Sequence, residues 1–282
     1  MLQLVIHGGA GSLEGKTAEA KNIHQSLCRI WEETFELLKK KTAEEAVIHG
    51  IRLLEDDPVF NAGTGSKLQA DGEVRMSAAL MDGVKNRFSG VINVQNIRFP
   101  IEAAALLSKE KNKVLSADQA TEFCRKNGFD EHDPVTPARL QEYEQKCSGI
   151  HGTVGIVALD NKGSIIAGTS TGGIGHEIPG RVSDSPTVAG TYASSKAGVS
   201  CTGVGEQITQ QAAAAKIVTR VEDGMSLHEA VSKTLMESNN FNYSFGLISL
   251  GANGQIEVGK TAALGEVYYA YHNGEGIETF YN

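Results

Sequence analysis

The sequence predicts an α+β fold in which two stacked, mainly antiparallel β-sheets lie between layers of helices. Helical and strand-like periodicities come in blocks rather than in strict alternation, which disfavours a doubly wound parallel sheet. The 32 glycines are uneven: 13 fall between Gly149 and Gly205 and none between Val91 and Asn127. No stretch is rich enough in Pro, Gly or Ser to act as a linker, so residues 1–282 read as one domain.

Leu2 to His7 is an apolar run, read as a strand ending in the glycine turn His7-Gly8-Gly9-Ala10-Gly11. Ile23, Leu27, Ile30, Trp31, Phe35 and Leu38 then recur at helical spacing. Thr42 and Glu45 make a Thr-x-x-Glu capping box for a second helix that must stop before Pro58. Residues 60–95 read as glycine turns joining short strands, closing on Phe88 to Val94. Pro100 suits a first helical position. Ser116-x-x-Gln119 reads as the cap of another helix, stopped by Gly128, and Thr136-Pro137 starts a third that runs toward Cys147. The glycine-free stretch is therefore predicted as a helical layer.

Strand patterns return after it. Thr153 to Asp160, the turn Asn161-Lys162-Gly163 and Ser164 to Thr171 read as a β-hairpin. Thr187–Ser194 and Ala197–Thr202 read as strands, and Gly205–Glu222 as one helix stopped by Gly224. Ser226-x-x-Glu229 caps the last helix, and Phe245–Leu250, Gln255–Lys260 and Glu266–Tyr271 read as closing strands.

Composition excludes several functions. With 34 acidic against 26 basic residues and a net charge of −8, the chain lacks the basic surplus that nucleic acid or an anionic membrane demands. Apolar content of 40% with 21% charged residues excludes a disordered chain. No apolar run approaches the roughly 18 residues of a membrane span, and the N-terminus has no basic n-region of a signal peptide. The four cysteines form no CxxC pair, which points to a reduced, cytoplasmic chain. His176-Glu177, a lone pair in a Gly/Pro-rich stretch, reads as a surface turn rather than a metal site.

Gly15-Lys16-Thr17, between a glycine turn and a helix, resembles a phosphate-binding loop, with Asp160 as a magnesium ligand after an apolar strand. The loop requires glycine five residues before Gly15, and that residue is Ala10. Asp160 also opens a tight turn, which explains it without a metal. Threonine is more informative. Thr153, Thr169, Thr171 and Thr202 all stand near strand ends; each alone fits β-propensity, but together they could converge. A nucleophilic threonine needs a base, and no His/Asp pair offers one. Cleavage after Gly152 would free the Thr153 α-amine, whose ordinary pKa of about 8 suits that task. Arg181 and Asp184, in the loop Gly180 to Pro186, could be a surface ion pair, or could clamp an amino acid by its carboxylate and ammonium. Cys201 to Glu206 is a strand-to-helix turn of a kind that presents N–H groups to an oxyanion, or simply an ordinary glycine turn.

Taken together these segments resemble the plant-type asparaginase / isoaspartyl peptidase family of N-terminal nucleophile hydrolases. The resemblance runs in order through His7–Gly11, Leu54–Gly63, Met81–Gly83, Gly152–Gly155, Gly168–Gly173, Gly180–Pro186 and Ser200–Glu206. It implies a four-layer αββα sandwich made as a precursor that cuts itself between Gly152 and Thr153, into 1–152 and 153–282. Thr153 would be nucleophile and, through its new amine, base, with Thr171 assisting. Thr202 and Gly203 would stabilise the oxyanion, Arg181 and Asp184 would hold the α-groups, Gly205 would line the site and Asn61 would support it. The loop 54–64 matches a sodium-binding stabilisation loop using mostly main-chain carbonyls of Leu54, Glu55, Asp57, Phe60, Ala62 and Thr64, with no cofactor for catalysis. Substrates would be L-asparagine and β-aspartyl dipeptides, and the mature unit a dimer of αβ pairs.

The chain departs from that pattern at Glu177, where the family usually has Lys, and at Ser183, where it has Gly. The segment Gln141–His151 is short for the family's linker, and Phe245-Gly246 replaces a Gly-Gly. A glycosylasparaginase is the rival within the fold, resembling Gly168-Thr-Ser-Thr171, but Gly172-Gly173 and Ser200-Cys201-Thr202 favour the asparaginase side. A nucleotide-binding protein using Gly15-Lys16-Thr17 is the rival from another class, and a non-enzymatic binding module built on Arg181/Asp184 is a third.

Overall fold

The computed structural model describes residues 1–146 and 152–281. Cys147 and the rest of 147–151, the end of the predicted third helix and of the pre-Thr153 linker, lie outside the described residues. The first half runs β1 (Gln3–Gly11), α1 (Thr17–Leu38), α2 (Ala43–Asp56), β2 (Met76–Asp82), β3 (Arg87–Val94), α3 (Pro100–Leu107), β4 (Val114–Ser116), α4 (Ala117–Lys126) and α5 (Pro137–Glu144). The second runs β5 (Thr153–Leu159), β6 (Ile165–Thr171), β7 (Thr191–Ala193), β8 (Ala197–Gly203), α6 (Gly205–Gln211), α7 (Ala213–Glu222), α8 (Leu227–Asn239), β9 (Phe245–Gly251), β10 (Ile256–Lys260), β11 (Glu266–His272) and β12 (Ile277–Thr279).

Two sheets form, in the orders β12-β11-β1-β5-β6-β2-β3-β4 and β10-β9-β8-β7. Among the described residues only the β3–β4 pair is parallel. The central strands read as continuous apolar runs because neighbouring residues serve different cores, the pleat sending alternate side chains to opposite faces. Leu4 and Ile6 face the core under α1 and α2, whereas Val5 faces the core between the sheets. Ile156 and Val157 divide in the same way. On the second sheet Ile248 faces inward and Leu247 faces the core under α7 and α8. The order is thus helices, sheet, sheet, helices, the predicted αββα sandwich. Among the described residues no helix is long and apolar enough to cross a membrane.

Several local expectations are corrected. The glycines after His7 form no turn: β1 continues through them, and the pairing with β11 slips by one residue between His7 and Ala10, a bulge at Gly8-Gly9. The glycine-free stretch is not purely helical, because Val114–Ser116 pairs with β3. Ser116, held in that pairing, makes no side-chain cap. The strand expected from Thr187 is confined to Thr191–Ala193. The carbonyls of Val188 and Ala189 instead accept the N–H groups of Ala215 and Ala214, at 3.1 and 2.8 Å. That exchange breaks the predicted 205–222 helix at left-handed Ala212 (φ 50°, ψ 43°). The boxes at Thr42/Glu45 and Ser226/Glu229 are formed as read.

Candidate active site

Thr153 opens β5 directly opposite Thr171 on β6. Its hydroxyl donates to Thr171 Oγ1 at 3.1 Å, and that oxygen also accepts the Gly173 N–H at 3.2 Å. Thr202 and Gly203 reach the same place from β8 of the other sheet, and Arg181 and Asp184 from the loop after β6. Gly152, Thr153, Thr171, Arg181, Ser183, Asp184, Thr202 and Gly203 all line one narrow cleft. Gly203 has φ +134°, where a Cβ would press on Phe245 Cα at 2.6 Å. A Cβ on Gly205 would lie 2.8 Å from both Arg181 Nη2 and Asp184 Oδ1, so that position must stay bare for the loop to close over it. A larger cavity of about 260 Å³, between α1 and the 58–61 loop, shares only Gly152 with the cleft.

Asn61 does not line the cleft but ties down its wall. Its Nδ2 donates to the Gly173 carbonyl at 2.6 Å, its Oδ1 accepts the Lys67 N–H at 2.8 Å, and its carbonyl accepts the Gly172 N–H at 2.9 Å. The strand-to-helix turn is less open than expected, since the Val204 N–H is taken by the Ser244 carbonyl at 3.0 Å. In the 54–64 loop the Thr64 N–H donates to the Glu55 carbonyl at 2.7 Å. Of the acidic side chains there, Glu55 accepts from Ile101 N–H and Ser170, and Asp57 accepts from Ser26 and Arg29 and, within the loop, from Val59 N–H.

The charges are arranged unevenly. Arg181 donates through Nε and Nη2 to both oxygens of Glu206, at 2.5 and 2.9 Å. Burial works against the guanidinium charge, but Glu206, helped by the Glu177 and Asp184 charges, outweighs it and the pKa rises. Asp184 has no such partner. Burial pushes its carboxyl up to about 7, with its own backbone N–H and Arg181 pulling weakly the other way. Its Oδ2, Ser183 Oγ and Thr202 Oγ1 are buried around the cleft without hydrogen-bond partners. Buried polar groups are nearly always satisfied in native proteins; three unsatisfied ones in one cleft suit a polar ligand.

Glu206 and Ser183 were not assigned roles by the sequence. Nothing in the chain links positions 181 and 206 until the fold does. The His176-Glu177 segment is a turn, but not wholly a surface one: His176 is exposed, whereas the Glu177 side chain folds in to accept the Ile174 N–H at 3.2 Å. The pieces of a nucleotide site do not assemble. Lys16 pairs with Glu19, and the Asp160 carboxylate accepts the N–H groups of Ala43, Lys162 and Ser164.

A family profile described as asparaginase matches residues 1–281. An isoaspartyl peptidase/L-asparaginase of a Nostoc species is 44% identical over 98% of this chain and 93% of its own length. One from a Synechocystis species is 45% identical over 98% and 89%. A plant-type L-asparaginase of Pyrococcus horikoshii is 33% identical over 99% and 98%. Fold, cleft and whole-length similarity agree: the chain is an amidohydrolase and belongs to the asparaginase family.

Proposed function

We propose that the chain is a self-processing threonine amidohydrolase that converts L-asparagine to L-aspartate and ammonia and cleaves β-aspartyl dipeptides. The observation that carries this is the Thr153 hydroxyl, 3.1 Å from Thr171 Oγ1 in a cleft ringed by unsatisfied polar groups. In the precursor the hydroxyl adds to the Gly152 carbonyl, the Gly152–Thr153 C–N bond breaks, and water hydrolyses the resulting ester. The products are a Gly152 carboxylate and a free Thr153 α-amine. That amine then takes the hydroxyl proton as Thr153 attacks the side-chain carbonyl of the substrate. Thr171, accepting from Thr153, orients the attacking oxygen. Thr202 Oγ1, which has no internal partner, donates to the oxyanion, with Gly203 beside it. The α-ammonium returns the proton to the departing amine, and water releases aspartate from the β-aspartyl ester. Arg181, steadied by Glu206, receives the substrate α-carboxylate, Asp184 its α-ammonium, and Gly205 leaves room for both.

The relatives' names support both substrates, and a dimer of αβ pairs in the cytoplasm is the corresponding assembly and place. The 54–64 loop suits sodium: neutral carbonyls of Leu54, Glu55, Asp57, Phe60, Ala62 and Thr64 are hard oxygen donors. Replacing sodium with tetramethylammonium at equal ionic strength should lower the melting temperature; an unchanged one would rule the ion out. The activity itself is tested by assaying purified enzyme for aspartate release from L-asparagine and from a β-aspartyl dipeptide. Release from both is expected, and release from neither refutes the reading.

A further inference from the structure

Two residues behind the cleft, on the same face of each strand, lies a second polar layer that the proposed chemistry leaves unused. His7 Nε2 is 2.8 Å from Ser200 Oγ, and Ser200 Oγ is 2.8 Å from Thr169 Oγ1. Thr191 Oγ1 lies 2.5 Å from Thr169 Oγ1 and 2.9 Å from the Ser185 carbonyl. His7, Thr169, Thr191 and Ser200 are all 0% exposed. Thr169 and Ser200 stand immediately behind cleft residues, and the Ser185 carbonyl that Thr191 meets is next to one. Thr169 precedes Thr171 by two, Ser200 precedes Thr202 by two, and Ser185 adjoins Asp184, so the pleat puts the first two on the cleft-facing side of their strands. His7 pairs with Gly155, two residues beyond Thr153.

The chain of hydrogen bonds crosses between the sheets. His7 and Thr169 belong to the larger sheet, Ser200 and Thr191 to the smaller. Gly155 makes room for it, because a Cβ there would collide with Ser200 Oγ and His7 Nε2. Apolar contacts between sheets tolerate small slips, whereas a linked series of short, directional hydrogen bonds in a dry interior does not. Burial lowers the His7 pKa to about 3, which makes the ring a weak base.

We propose that the His7–Ser200–Thr169–Thr191 chain is the positioning element that sets Thr153 and Thr171 against Thr202 and the Arg181/Asp184 loop. The four side chains are positioning residues, and the inference rests on Thr153 being the nucleophile. Thr169→Val removes the hydroxyl and keeps the shape, while Thr169→Ser keeps the hydroxyl. Both are measured as fully cleaved protein, verified by mass, for kcat and KM with L-asparagine. Thr169→Val should lower kcat by about 10- to 100-fold, with KM moving less than about threefold because the clamp is retained. Thr169→Ser should recover most of kcat. A Thr169→Val enzyme with wild-type kcat, or a serine variant as poor as the valine one, overturns the proposal. Should Thr169→Val fail to fold, Thr191→Val against Thr191→Ser at the far end of the chain gives the same readout, and the same two outcomes overturn the proposal. A wild-type enzyme that cleaves itself but releases no aspartate would refute the substrate reading alone, and the self-cleavage rates of these variants would then decide the positioning role.

Discussion

A Thr153→Ala chain should stay whole and release no measurable aspartate, a loss of at least about 10⁴-fold in kcat/KM. In the proposed chemistry the hydroxyl is the attacking atom in both reactions, and the base it needs exists only after the first. No other residue in the cleft substitutes for it: Thr171 accepts from Thr153 and from Gly173 N–H, and has no amine of its own. Thr153 is only partly buried at the start of its strand, so alanine should fold, at a cost within about 1 kcal/mol. Thr153→Ser retains both hydroxyl and latent amine and should keep some of each activity. Denaturing gels and an aspartate assay on the folded variants check this. An uncut Thr153→Ala protein that still hydrolyses L-asparagine would remove Thr153 from the mechanism.

The second large effect concerns affinity and pH. In the proposed clamp Asp184 must be ionised to hold the substrate ammonium, and burial holds its carboxyl near 7. Raised above the ordinary carboxylate range, it is protonated below about pH 7 and charged above it. KM for L-asparagine should therefore be lowest above pH 7 and rise as pH falls, approaching tenfold per unit. Asp184→Asn should raise KM by about 10- to 100-fold, the worth of a charge-assisted bond in a dry site, and abolish this dependence. KM measured from pH 5.5 to 8.5 for both proteins is the check, and a pH-independent wild-type KM would contradict it. Glu206 belongs to the same balance. It engages Arg181 through Nε and Nη2, and its negative charge helps to raise the Asp184 pKa, so Glu206→Gln should shift the KM profile toward acid.

Much of this was legible in the sequence, and what was not has physical causes. The hairpin that sets Thr153 opposite Thr171 shows as two apolar runs around Asn161-Lys162-Gly163, because local turn chemistry fixes its register. The capping boxes at Thr42 and Ser226 are equally local. The break at Ala212 was hidden, since a left-handed alanine follows from the carbonyls of Val188 and Ala189, which only tertiary packing brings there. The bulge at Gly8-Gly9 likewise depends on β11, at the far end of the chain. In the site, motif residues were recognisable because each carries a distinctive chemical type. Glu206 and His7 were not, because their partners are 25 and 193 positions away. Glu177 is misjudged for a related reason: a charged residue between glycines and proline reads as solvated, yet the turn folds its carboxylate inward.

The central claim is that the chain becomes an enzyme by breaking its own backbone before Thr153, and the intact mass of purified wild-type protein tests it most directly. Cleavage there divides the 282 residues and 30.0 kDa into 152 and 130 residues, about 16 and 14 kDa, with threonine at the new N-terminus. An active preparation consisting of one uncut 30.0 kDa chain would contradict the account.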